Sequence, residues 1–294
     1  MKALFTLLFF TFCIAISAGQ TVLKYTLQEG DVFVVSQKAN QVITQELDGV
    51  THELTNTIEG ILEFKVLAEK EESYEIALTF KDLNMTMTSS IQGELLNVRA
   101  KEVSEDDMQS KIFNSLLNSP VQMILAKNGD ILEVNGGDSL VVKMANASGL
   151  EDEFSRNMMK RSLEEEFGSE ALSNSYEQMT YFYAIEEVKE GDTWQNEYFG
   201  KLNTKNTWTL TQLNDSTATI SGMAEVLMTI DDANTTMSLT GIQETQILTD
   251  RVSGFITTMK VEGESKGVST MKQMSDHEIP TAIKSIITYQ LIKE

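Results

Sequence analysis

The chain has 294 residues, 41% hydrophobic and 23% charged, enough for a substantial core and unlike a disordered or fibrous chain. Its 23 Lys and Arg face 44 Asp and Glu, a formal net charge of -21 that excludes nucleic acid and anionic lipid surfaces as partners held by charge. With 1 Cys, 2 His and 2 Pro, disulfide scaffolds, four-thiolate metal sites and three-histidine sites are excluded as well.

The N-terminus reads as an address. Lys2 precedes an apolar run from Ala3 to Ile16, broken only by Thr6 and Thr11, and the small residues Ser17, Ala18 and Gly19 follow. This is the three-part pattern of a secretory signal peptide over 1–19. Cleavage is expected after Ala18 or Gly19, the second choice exposing Gln20. The run is shorter than the about 20 residues of a membrane span. No transmembrane segment is expected in the mature chain, because no second long apolar run follows. Cys13 lies inside the run behind Phe12, not at the cleavage point, so no lipoprotein anchor is expected. The expected destination is the periplasm, the cell envelope or the exterior.

Residues 20–100 read as an N-terminal β half. Leu23, Tyr25 and Leu27 alternate, and Gln28-Glu29-Gly30-Asp31 then makes a turn. Over 52–67, Leu54, Ile58, Leu62, Phe64 and Val66 share one parity and Glu53, Thr55, Thr57, Glu59 and Glu63 the other, so the first set faces a core. Glu69 to Glu72 form a charged hairpin turn, after which Tyr74, Ile76, Leu78 and Phe80 alternate. The parity slips after Asp82, because Leu83, Met85 and Met87 are then the apolar positions. A bulge there would keep both halves facing the core.

Residues 101–187 read as a central helical region holding one hairpin. Ser104 and Asp107 make a capping-box variant before Met108, Ile112, Phe113 and Leu116, and Pro120 stops that helix. Two short apolar runs flank Asn128-Gly129, a strong hairpin signal. After Gly136-Gly137, Asp138 can cap a helix carrying Leu140, Val141 and Met144. Leu150, Phe154, Met158, Leu163 and Phe167 form an amphipathic series, and after Gly168 so do Leu172, Tyr176, Met179 and Tyr183.

Residues 188–294 read as a C-terminal β half. Ala218, Ile220, Ala224, Val226, Met228 and Ile230 alternate against Thr and Glu. Asp231-Asp232-Ala233-Asn234 reads as a turn, with strands near 236–248, 252–262 and 265–274, a turn near Gly263, and a last strand through Ile283, Ile287, Tyr289 and Leu291. Strands joined by turns rather than helices argue for antiparallel pairing. The expected fold is α+β: a strongly curved antiparallel sheet, or sheets, with the helical insert packed on it and 20–294 forming one compact unit. Leu27 to Asp31 and Val188 to Asp192 echo one another. An internal duplication of the β halves and a common turn sequence both account for that echo.

The chain resembles the secreted family, found mainly in Bacteroidota, labelled domain of unknown function 6263. The resemblance rests on the signal peptide, Glu29-Gly30-Asp31, and Thr57-Ile58-Glu59-Gly60 leading to Phe64-Lys65-Val66-Leu67. It rests also on Asn128-Gly129-Asp130-Ile131-Leu132-Glu133-Val134, the helical middle and Glu190-Gly191-Asp192-Thr193-Trp194. It implies export and a self-contained β-rich domain. It brings no activity and no functional residue.

Signals for chemistry are thin. His52 sits on the apolar parity of its strand and His277 in Asp276-His277-Glu278, which reads as one sheet and one loop histidine rather than a metal site. No nucleophile motif and no phosphate-binding glycine loop is present. The acid clusters at Glu105, Glu151 and Glu164 suit helix starts and solvated faces. Asp231, Asp232 and Asn234 could give oxygens to calcium, but match no calcium loop. Asp138-Ser139-Leu140 and Asp215-Ser216-Thr217 resemble O-glycosylation acceptors of exported proteins, at a length that chance often supplies. The 15 Met, with Met85 beside Met87 and Met271 near Met274, fill cores or line a pliable apolar pocket. Trp194 and Trp208 read as core, or as a carbohydrate platform.

No catalytic, cofactor or metal residue is therefore assigned, and no enzyme is expected. The first reading is a binding module for a lipid or other apolar small molecule, held in a cavity between sheet and helices. The alternative is a cell-envelope structural or protein-interaction module with a filled core. A carboxylate-based hydrolase stands third.

Overall fold

The computed structural model describes residues 20–104, 107–231, 235–271 and 277–292. The expected signal peptide, with Ala18 and Gly19, lies outside these residues, as do Glu105, Asp106, Asp232, Asn234, Met274 and Asp276.

The first three strands are long: β1 (Val32–Leu47), β2 (Val50–Glu69) and β3 (Ser73–Ser89). Next come β4 (Gly93–Arg99), α1 (Met108–Leu116), β5 (Val121–Ala126), β6 (Ile131–Asn135), α2 (Gly137–Ala147), α3 (Glu153–Phe167) and α4 (Ser169–Thr180). The chain ends in β7 (Thr193–Tyr198), β8 (Leu202–Leu213), β9 (Thr217–Asp231), β10 (Thr235–Asp250), β11 (Ile256–Met271) and β12 (Glu278–Ile292). All strands join one open antiparallel sheet in the order β6-β5-β3-β2-β1-β12-β11-β10-β9-β8-β7, with β4 also on β3. The two β halves therefore meet as one continuous sheet. The seam is β1 against β12, from Val34 opposite Ile292 to Gln45 opposite Thr281.

The period-two patterns explain the strands. On β2, Leu62, Phe64 and Val66 are buried, while the residues between them stay half-buried or exposed. The parity slip is a bulge: Ile61 pairs with Asp82 and Leu62 with Phe80, leaving Lys81 as the extra residue. The bulge returns Leu83, Met85 and Met87 to the face occupied by Phe80. Pro280 sits inside β12 one residue beyond its last β1 partner, so the missing N–H removes no bond from the seam.

Helix starts follow local chemistry. Asp107 caps α1, its carboxylate accepting from Ser110 N at 2.9 Å, so the cap is Asp107 and not Ser104. Asp152 caps α3 by accepting from Ser155 N at 2.7 Å. α2 starts at Gly136 with φ 98, and Asp138 lies in its first turn rather than at the cap. Gly168 alone separates α3 from α4.

One end of the sheet is packed under the helices. Leu172, Tyr176 and Met179 of α4 are buried there with Phe64, Phe80, Phe182 and Trp208. Tyr176 meets Phe64 and Phe80 edge-on, each at 6.3 Å between ring centres. We call the helix-covered face of the sheet its inner face.

Three readings of the sequence are corrected. Leu23, Tyr25 and Leu27 are buried, but the segment is not a strand of the sheet. Its backbone bonds scatter: Tyr25 N donates to Lys127 O and Thr26 N to Ser253 O. Alternation reports burial on one side, and here unrelated loops supply the backbone partners. Gly263 lies in mid-strand, because β11 runs unbroken where two strands were expected. The α3 stripe is largely uncovered: Phe154 is 73% exposed and Met158 52%.

Candidate functional site

The register fixes which side chains share the inner face. A row crossing most of the sheet places Asn56, Gln41, Ser285, Gln243, Asn206 and Asn196 side by side, with Gly263 and Ala224 filling the gaps. Neighbouring rows are mainly aliphatic, among them Ile58, Ala39, Ile287 and Val261 on one side and Leu54, Ile43 and Ile283 on the other. Among the described residues, no Asp, Glu, Lys or Arg occupies an inward position on β1, β8 to β12, or β2 from His52 to Val66. Charge goes to the other face instead, where Lys38 pairs with Glu59 at 2.9 Å and Lys266 with Glu264 at 2.8 Å.

Away from the helices this face is unevenly covered. On β10 to β12, Leu239, Ser269 and Ile279 are fully buried. Gln45 Nε2 of β1 reaches across β12 to donate to Ser269 Oγ at 3.0 Å, and Ser269 and Thr281 share a hydroxyl bond of 2.8 Å. On β1 to β3, by contrast, Ile43, Leu54, Ile58, Met85 and Met87 are only half-buried. Asn56 Nδ2 donates there to Gln41 Oε1 at 3.2 Å. Asn56 Oδ1 and His52 Nδ1 are buried without a hydrogen-bond partner. Buried polar atoms are nearly always satisfied, so two bare ones on one strand face mark an unusual patch.

Strand glycines gather on the same face. Gly60, Gly222, Gly241, Gly263 and Gly267 all hold inward positions. A Cβ at Gly241 would overlap Glu264 O, one at Gly267 would overlap Ser238 O, and one at Gly222 would enter the Trp208 ring.

The residues singled out from the sequence do not converge. His52 is on the inner face, and His277 is exposed ahead of β12. Met85 and Met87 line the patch. Trp194 and Trp208 lie opposite each other on β7 and β8. Trp208 is buried, with Nε1 donating to Asn196 Oδ1 at 2.8 Å, while Trp194 donates to Phe182 O at 2.9 Å. The carboxyls of Asp107 and Asp152 are held below the usual range by the Ser110 and Ser155 hydrogen bonds, a capping use. Glu164, Glu165 and Glu166 border a groove of about 880 Å³ between α3, α4 and residues 199–202, where Glu166 pairs with Lys201 at 2.8 Å. Ser139 and Ser216 are both exposed. Among the described residues, no three His, Cys, Asp or Glu side chains are grouped to hold a metal.

Two features escaped the sequence reading. One is the polar row, which needs the register of eight strands to be seen. The other is a carboxyl pair: burial, then the charge and hydrogen bond of Asp130, push Glu177 of α4 up to about 7. On the outer face, Ser36, Lys38, Gln246, Thr258, Lys260 and Gln290 border a groove of about 500 Å³.

The nearby architecture has a known counterpart. A solved structure of lipovitellin, concerned with its lipid–protein interactions, is similar over 91% of this chain at 12% identity and a TM-score of 0.50. The match spans only 26% of that longer chain, so the likeness is one of fold. DynF of the dynemicin biosynthesis pathway of Micromonospora chersina aligns over 94% of this chain and 88% of its own, at 8% identity and a TM-score of 0.25, too low to carry an argument. Comparison with curated protein sequences gives no match. No helix among the described residues is long and apolar enough to cross a membrane. A family model matches residues 71–256, from the β2–β3 turn to the start of β11, and the chain belongs to that family, the family of unknown function DUF6263.

Proposed function

We propose that the mature chain is an exported, non-enzymatic binding protein that holds an apolar small molecule on the inner face of β1 to β3. The carrying observation is the uncharged inner face that continues past the helices, with Ile43, Leu54, Ile58, Met85 and Met87 left half-buried. An aliphatic patch of this kind recovers about 25 cal/mol for each Å² that a ligand covers. Beneath the helices, rings and aliphatic side chains fill the space. The ligand therefore sits beyond the helices and not directly under them.

The sheet in this reading is curved towards its inner face. Inward glycines whose missing Cβ atoms give room to neighbouring backbone support that curvature. So does the burial of Leu239, Ser269 and Ile279 far along the strands. The fold likeness to lipovitellin, described for its lipid–protein interactions, points the same way. A duplication of the β halves is supported by two turns wired alike. Gln28 N donates to Asp31 Oδ2 at 2.8 Å and Lys189 N to Asp192 Oδ2 at 3.1 Å, and Gly30 and Gly191 both have positive φ.

The test is direct. Residues 20–294 are exported, purified without detergent and extracted with organic solvent. The extract is compared by mass spectrometry with a mock purification. A stoichiometric apolar compound supports the reading. An empty, folded protein that also takes up no added acyl compound sinks it. That second outcome favours the envelope-interaction reading, for which the exposed Phe154 and Met158 on α3 are the specific observation.

A further inference from the structure

We infer that the ligand is an uncharged amphiphile, an aliphatic chain ending in a hydroxyl- or amide-bearing head, and that Asn56 and His52 bind the head. The inference rests on the binding reading above and adds the ligand's chemistry. Four observations combine. The open patch on β1 to β3 supplies aliphatic contact through Ile43, Leu54 and Ile58. Asn56 Oδ1 lies within it, buried and unpartnered, an acceptor waiting for a donor. His52 Nδ1, four residues back on the same face, is buried and unpartnered as well. Third, the remaining polar groups nearby are neutral amides: Gln41 opposite Asn56 and Gln45 opposite His52.

The fourth is the absence of charge. No Lys or Arg shares the inner face of β1, or of β2 from His52 to Val66, so a carboxylate or phosphate head placed there would meet no counter-ion. Burying an unpaired charge costs far more than burying a hydroxyl that finds an acceptor. A hydroxylated head instead satisfies Asn56 Oδ1 and removes the standing penalty of a bare buried acceptor. Free fatty acids are thereby disfavoured and acyl glycerols, or other neutral polyol and amide amphiphiles, favoured.

The experiment uses residues 20–294, delipidated, in equilibrium dialysis below micelle-forming concentrations. Three probes share one acyl chain: monopalmitoylglycerol, palmitate and methyl palmitate. The expected result is that monopalmitoylglycerol binds at least about tenfold tighter than the other two, as one or two neutral hydrogen bonds imply. Asn56→Leu should cost monopalmitoylglycerol about tenfold and leave methyl palmitate unchanged. Equal binding of monopalmitoylglycerol and methyl palmitate overturns the head-group inference and leaves the apolar site standing. Palmitate binding as tightly as monopalmitoylglycerol does the same. Binding of none of the three overturns the binding reading itself. The ratio measured on the unaltered protein decides the matter even if Asn56→Leu does not fold.

Discussion

Glu177 makes stability depend on pH through a single side chain. Its carboxyl is raised from 4.5 to about 7, first by burial and then by Asp130 in the β5–β6 turn. A raised folded value means that the proton is held more tightly in the folded chain. The contribution is fully present below 4.5 and is lost as pH rises through about 7. The group is only partly buried, so solvent screening reduces the loss to about 1 kcal/mol. Glu177→Gln should leave stability near pH 4 unchanged and raise it by about 1 kcal/mol at pH 8. Urea titrations at both values check this, and an unchanged pH profile in the variant refutes it. Gly222 offers a second test at this scale. The Trp208 ring occupies the space a Cβ would need, with its Nε1 fixed on Asn196. Gly222→Ala therefore overpacks a buried site and should cost about 1–3 kcal/mol. A neutral result would mean that the ring moves freely.

At the scale of elements, two consecutive helices with similar sequence patterns meet different fates. On α4, Leu172, Tyr176 and Met179 are buried against the sheet. α3 buries none of its residues fully, although Phe154, Met158 and Leu163 recur at helical spacing. Periodicity announced both helices but could not say which stripe finds a partner, because that depends on where the sheet lies. Leu172→Ala should cost about 2–5 kcal/mol, whereas Phe154→Ser and Met158→Ser should stay within about 0.5 kcal/mol. Denaturant midpoints for the three variants separate the cases. The same logic explains what else was legible. The β2 alternation and the Asn128-Gly129 hairpin depend on neighbours in sequence, and both are found as expected. The slip at Lys81 was visible because apolar residues changed parity across it. The Leu23 to Leu27 segment and the mid-strand Gly263 were misread because their partners are remote in sequence. His52 was placed on the apolar parity, but its neighbours Gln45 and Asn56 acquire meaning only through the β1–β2 register.

Across the whole molecule, the seam between β1 and β12 decides how the two β halves behave. It joins strands from opposite ends of the chain over most of their length, so neither half has a complete sheet without the other. Tyr25 adds a second tie: its ring meets Tyr183 and Phe255 while its hydroxyl donates to Thr180 O. The edge strands β4, β6 and β7 are all short, which limits edge-to-edge association. Shared pairing on this scale should couple the halves into one cooperative unit, and the position of the tryptophans makes that testable. Trp194 and Trp208 both report from the C-terminal half, on β7 and β8. Leu62 is fully buried in β2, in the other half. Leu62→Ala should cost about 2–5 kcal/mol and move the tryptophan-fluorescence midpoint in urea as far as it moves the circular-dichroism midpoint. A fluorescence transition that stays in place while the circular-dichroism curve splits in two would mean that the halves unfold separately. The seam would then be a contact between two units and not the centre of one sheet.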